Sequence, residues 1–158
     1  MSPRFRLRLI LIVALIVASV GHPVFADMSR KVTAAFRGEL VISTGELPEG
    51  RDDKDTIAQV KKARLKELKG QSRDDVTRWT FHYTAFLEKT GARSLTMKFT
   101  GGDRTADKRL TGVDPKATVL TGDITIDEDE GLKRGRTYTI ELLDPRGGVV
   151  ATTRLTMK

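Results

Sequence analysis

The residues of this chain that could do chemistry are few, and their types narrow the chemistry quickly. There is no cysteine, which excludes disulfides, thiolate catalysis, a lipid-modified cysteine and any zinc site built on sulfur. Of two histidines, His22 and His82, the first lies in a segment expected to be removed. A Ser-His-acid arrangement would therefore have to be built on His82, and a multi-histidine metal centre is excluded. His82 alternates with Trp79, Phe81 and Tyr83, so a strand histidine half exposed to solvent is the simpler expectation.

The densest acidic run is Asp127-Glu128-Asp129-Glu130-Gly131. Asp127 and Asp129 followed by a glycine are the weak calcium candidate of the chain, since oxygen ligands must converge on a hard cation around a tight turn. The next positions, Leu132, Lys133 and Arg134, put cations where an EF-hand loop needs oxygens, and a solvated turn explains the run as well. Carboxylates alone could also serve a hydrolase, which needs two acids at a set separation across a cleft. No glycine-rich phosphate loop, nucleophile elbow or HExxH helix is present. No cofactor is expected. Lys62, Lys66 and Lys69 would lie on one side of a helix and form a candidate partner surface. Without aromatic residues among them, they make no nucleic-acid signature.

The first residues suggest where such chemistry would operate. Arg4, Arg6 and Arg8 precede the apolar run Leu9–Val20, and Gly21, His22 and Pro23 then interrupt it. Val24 and Ala26 are small residues at the −3 and −1 positions before Asp27. A basic head, a short apolar core and a small-x-small exit form the plan of a secretory signal peptide. Cleavage is expected between Ala26 and Asp27. The apolar run is shorter than the roughly 20 residues of a transmembrane helix, so no stable membrane insertion is expected after cleavage. Losing three arginines and no acid with residues 1–26 lowers the formal charge from +7 to +4, an ordinary solubility charge. The expected location is the periplasm or the medium. The remaining 132 residues suit one domain able to bury a core without staples.

Beyond residue 75 the apolar residues recur every second position: Trp79, Phe81, Tyr83, Ala85 and Leu87; then Leu95, Met97 and Phe99; then Leu120, Ile124 and Ile126; then Tyr138, Ile140 and Leu142; and, after Asp144-Pro145-Arg146-Gly147-Gly148, Leu155 and Met157. Period two with Gly/Pro/Asp turns between runs predicts antiparallel strands. Seven are expected, at 38–44, 76–88, 93–100, 105–111, 117–127, 136–143 and 148–157, with 105–111 a charged edge strand. Residues 55–69 instead have helical period. Ile57, Val60, Arg64 and Leu68 form a stripe, Asp55 is the expected N-cap and Gly70 the expected C-cap. The division expected is thus a signal at 1–26, an N-terminal segment at 27–37 and one β-sandwich domain at 38–158.

Residues Leu132 to Leu142, with Gly135 ahead of Tyr138, followed by the Thr-rich run Gly147 to Met157, resemble the closing hairpin of immunoglobulin-like domains in bacterial surface and secreted proteins. Trp79 would hold the central core position that a tryptophan often takes there. The resemblance covers roughly 80 residues and lacks the cysteine pair of antibody domains. It implies an all-β, Ig-like antiparallel sandwich of seven strands with one inserted amphipathic helix. The leading functional expectation is an exported non-catalytic interaction or structural module that meets an envelope protein or polymer and no nucleic acid. The alternatives are a small secreted carboxylate-dependent hydrolase and an envelope chaperone or inhibitor acting through its edge strand. The oligomeric state is left open.

Overall fold

The computed structural model describes residues 28–158; the expected signal peptide, with its cleavage point at Ala26 and Asp27, lies outside the described residues. Helix α1 (Arg30–Ala35) leads into β1 (Leu40–Ser43), α2 (Asp53–Ala63) and the short strands β2 (Glu67–Leu68) and β3 (Gln71–Arg73). The long strands β4 (Val76–Phe86), β5 (Ser94–Gly101), β6 (Arg104–Thr111) and β7 (Val119–Asp127) follow. A 3-10 turn at Glu128–Glu130, β8 (Arg136–Leu143) and β9 (Val149–Met157) complete the order. The protein is mostly β, and the seven strands expected from period two are all present within two residues of their expected ends.

The strands form two sheets. In the first, β7 runs antiparallel along one side of β4, while β1 and β3 share its other side, against His82–Ala85 and Val76–Arg78 respectively. The second has the order β2-β9-β8-β5-β6, antiparallel except for β2, which runs parallel to β9. The sheets meet where Thr152 N donates to Gly38 O at 3.1 Å, just before β1 crosses to its place beside β4.

One apolar cluster fills the space between the sheets. It joins Leu40, Ile42, Trp79, Phe81 and Tyr83 of the first to Leu95, Met97, Phe99, Tyr138, Ile140, Leu142 and Leu155 of the second. Phe81 and Phe99 meet edge to face, ring centres 6.4 Å apart, an arrangement favoured by the ring quadrupoles. Each such side chain, fully buried, contributes roughly 1.5–3 kcal/mol. Opposite Tyr83 the partner strand carries Gly122, where a Cβ would stand 2.9 Å from the phenol ring and its oxygen. A side chain at 122 would displace the tyrosine.

The outer face of the first sheet is covered as well. Val32 and Phe36 of the α1 region and Val60 of α2 pack on Val41, Phe86 and Val119, with Ile57 and Leu47 at the margin. Phe36 and Phe86 stack with centres 5.1 Å apart. Period two placed the residues on their faces, but the second face is not open to water. His82 is 7% exposed and Thr84 fully buried, which corrects the half-exposed histidine expected above.

The helix differs from its expected span of 55–69. It starts earlier because Asp52, not Asp55, is the N-cap: Asp52 Oδ1 accepts from Asp55 N at 2.8 Å, and Asp55 Oδ2 in turn accepts from Arg51 N at 3.0 Å. It ends at Ala63 because the following backbone finds partners elsewhere. Arg64 turns extended and Leu65 N donates to Ile42 O at 2.8 Å; Thr156 N and Lys158 N donate to Lys66 O and Leu68 O. An open strand edge on β9 outweighs the good helix propensity of residues 64–69, a weak preference of a few tenths of a kcal/mol per residue. Leu68 therefore enters the main core, and Gly70 is no helix cap.

The segment at 27–37 and the polar connection at 71–75 also carry structure: α1, capped by Ser29 Oγ accepting from Val32 N, and the β3–β4 hairpin. That hairpin turns at Asp74 and Asp75, both at positive φ (52° and 63°), which matches the twist of a two-residue hairpin loop.

Candidate functional site

His82 sits in a row of three polar residues across the covered face of the first sheet. Register places Ser43 of β1 on one side and Asp123 of β7 on the other, and alternation points all three side chains away from the main core. His82 Nδ1 lies 2.9 Å from Asp123 Oδ1, and Asp123 is itself largely open to water, its side chain 70% exposed. Serine, histidine and aspartate in one row have the composition of a nucleophilic triad. Their hydrogen bonds run differently. Ser43 Oγ donates to Gly45 O at 2.7 Å, spending on a loop carbonyl the proton that a base would have to remove, and Ser43 is only 2% exposed. The His82–Asp123 contact links β4 to β7, and Ser43 anchors the start of the loop that follows it. Asp123 also acts across the sheet: burial first, and then its charge, pushes the Tyr83 phenol well above the usual tyrosine range.

The acidic run 127–131 is divided among neighbours. Asp127 and Glu130 cap the 3-10 turn reciprocally, each side chain accepting from the other's backbone N–H. Asp127 also pairs with Arg78 at 3.6 Å and Glu130 with Lys108. Glu128 Oε2 accepts from Thr77 N at 2.9 Å, a bond that, with Arg134 nearby, holds its carboxyl below the usual glutamate range. Asp129 is left exposed. Of the calcium candidates, Asp127 is thus engaged by the turn and by Arg78 while Asp129 is exposed, and no group of three or more potential metal ligands occurs among the described residues. The Asp103 carboxyl shifts as well. Its own backbone N–H and then Arg136, 2.8 Å away, shift it downward.

The three lysines of the candidate partner surface are all exposed, but they share no helix face. Lys62 stands in the last turn of α2, Lys66 on the extended link after it and Lys69 in the connection from β2 to β3. There Lys69 joins two cations that are remote in sequence. A shallow cavity of about 390 Å³ is lined by Lys69, Gly70, Arg134, Gly135 and Lys158. Sequence reasoning missed this grouping, because its members come together only once β2 docks on β9. A second cavity, about 230 Å³, lies between the starts of the two helices at Ser29, Glu49, Asp52 and Asp53. Ser29 Oγ donates there to Asp53 Oδ1 at 2.5 Å, tying the helices together.

No helix of the described residues is long and apolar enough to cross a membrane. No protein-family model matches the chain, and a search of curated proteins finds no match to it.

Proposed function

We propose that this chain is an exported, non-catalytic binding module built on an immunoglobulin-like sandwich, working in the periplasm or the medium after loss of residues 1–26. Two features support the sandwich type. Counting only the seven long strands, the first, second and fifth share one sheet and the seventh, sixth, third and fourth the other. This division resembles that of Ig-like sandwiches, with the fourth strand beside the third instead of the fifth. Tyr138, at the start of the sixth, accepts from Lys133 N through its hydroxyl at 2.8 Å. A tyrosine bonded to backbone a few residues upstream at this corner recurs in such sandwiches. Trp79 departs from the antibody pattern, since it lies on the second long strand and not the third.

The observation that carries the functional reading is the state of the Ser43–His82–Asp123 row. Ser43 Oγ, the nucleophile that a triad would use, is bonded to Gly45 O and sealed, so the row is read as structural. Function on such a fold then falls to loops and strand ends. The carboxylate-hydrolase alternative requires two acids facing each other across a cleft, and the described cavity at the end of β9 is lined by cations and glycines. The edge-strand alternative has one observation in its favour, the unpaired outer side of β6 at the end of its sheet. Against it, Lys108 alternates with the buried Ala106 and Leu110 on the inward face and pairs with Glu130. An inward charge is one of the devices that keep edge strands from pairing.

The test combines capture and turnover. Residues 27–158 should retain a discrete envelope partner in stoichiometric amount and turn over no ester or glycoside substrates. Hydrolysis that disappears in His82→Gln would replace this reading with the enzymatic one. Intact mass of the exported protein should begin at Asp27.

A further inference from the structure

We infer that the cavity at the end of β9 is a binding site for an oxyanion of the phosphate class, held by Lys69, Arg134 and Lys158. The inference deepens the binding-module reading and rests on it. Every side chain lining the cavity is a cation, and the only other residues lining it are two glycines, Gly70 and Gly135. At about 390 Å³ the space falls inside the roughly 300–1,000 Å³ of small-molecule pockets.

The three cations are rooted on one stitched piece of backbone. Lys158 N donates to Leu68 O at 2.7 Å, and Gly70 N returns a bond to Lys158 O at 2.6 Å. Gly135 N donates to Met157 O at 2.6 Å from the other side. The Trp79 indole Nε1 adds a bond to Lys158 O at 3.2 Å. Three segments far apart in sequence are thereby fixed around the last residues of β9, and a ligand would have to order only the side chains.

The local charge is unbalanced. Lys158 Nζ pairs with Glu67 at 2.7 Å, and Glu128 lies near Arg134 while its oxygen is engaged by Thr77 N. Lys69 has no carboxylate partner among the described residues, and Lys133 adds a further exposed cation beside Arg134. Four side-chain cations stand against the side-chain carboxylates of Glu67 and Glu128 and the α-carboxylate of Lys158, which leaves a small positive excess at a concave spot. A guanidinium offers a planar fork of donors suited to phosphate, and lysines add point charges to it.

The site also carries its own reporter. A Cβ on Gly70 would meet Trp79 Nε1 at 2.8 Å and Thr77 Cγ2 at 2.3 Å, so the cavity floor lies directly on the indole of the only tryptophan in the chain. Binding at Lys158 should therefore change Trp79 emission.

The experiment titrates the protein with sodium phosphate against sodium chloride at equal ionic strength, read by calorimetry and by Trp79 fluorescence. In parallel it is sedimented with phosphatidylglycerol vesicles and with neutral phosphatidylcholine vesicles as control. The expected result is saturable binding to phosphate or to the anionic vesicles. It should weaken roughly tenfold or more in Arg134→Gln and in Lys69→Gln, the loss expected for a charge-assisted bond, and stay unchanged in Lys62→Gln. Saturation by free phosphate assigns a soluble ligand, and binding to anionic vesicles alone assigns a lipid headgroup. Phosphate indistinguishable from chloride together with no vesicle binding would overturn the site, as would wild-type titration by Arg134→Gln and Lys69→Gln. Because these side chains are exposed, the variants should melt with the wild type. If they still capture the envelope partner while phosphate binding is absent, the module reading survives and only this site falls.

Discussion

The two sheets of this protein share a core but treat their outer faces in opposite ways. The first sheet buries its back under two helices: β4 is buried at every position from Phe81 to Phe86. The second alternates throughout, with β5 buried at Leu95, Met97 and Phe99 and part-exposed at Thr96, Lys98 and Thr100 between them. Its open face is built of threonines and charges, among them Thr139, Glu141 and Arg154. Strict alternation in a sequence thus assigns faces reliably in both sheets, yet it leaves open whether the polar-looking face is wet. On β4 the tell-tale residue is Phe86, a large apolar group out of phase with Trp79, Phe81 and Tyr83. It marks the cover.

That contrast can be broken by substitution. Trp79→Ala, in the shared core, should cost about 3–5 kcal/mol, read from the denaturant midpoint at constant slope. This is a large share of the roughly 5–15 kcal/mol available to a domain of this kind. Phe86→Ala on the covered face should cost about 3 kcal/mol; a value near the few tenths typical of surface changes would mean the helices are a loose attachment and not a layer. Asp123→Ala should cost about 1–2 kcal/mol, because it leaves the buried His82 nitrogen without its acceptor, and Asp123→Asn should recover part of that.

The rim of the first sheet gives a pH signature. Glu128 is held below its ordinary value, so its contribution is present above the pKa of the unfolded chain and is lost as pH falls through the folded value. Glu128→Gln should therefore lower stability at neutral pH and flatten the acid limb, the variant and wild-type curves converging once pH has fallen through the folded Glu128 value. The smallest effect belongs to the open sheet. Thr139→Val should stay within about 0.5 kcal/mol, and a loss as large as that of Phe86→Ala would erase the distinction between the two outer faces.

What the sequence made legible followed from short-range pattern. Trp79, Leu95, Met97, Phe99, Tyr138, Ile140 and Leu155 were placed in the core by alternation alone, and the turn at Asp144 by its composition. Asp144 Oδ1 does accept from Arg146 N and Gly148 N. What stayed hidden depended on contacts distant in sequence. Residues 64–69 continue a helical pattern, and only the free edge of β9, some ninety residues later, turns them into strand. The cover on the far face of β4 depended in part on α1, a six-residue helix that packs Val32 and Phe36 with Phe86. The cavity at Lys69, Arg134 and Lys158 was hidden for the same reason as β2: no window of the sequence contains it.

The position of β9 governs when this chain can become a protein at all. It is the last strand in the sequence, yet it lies in the interior of its sheet, with β8 on one side and β2 on the other. Until it arrives, β2 has no neighbour to pair with, Leu68 has no core to enter and the Trp79 indole lacks the Lys158 carbonyl it bonds to. Residues 149–157 must therefore be in place before residues 67–68 can join the sheet. Pairings of such long sequence separation fold slowly. The docking of β9 is thus a single event on which β2, Leu68 and the Trp79 indole bond all depend.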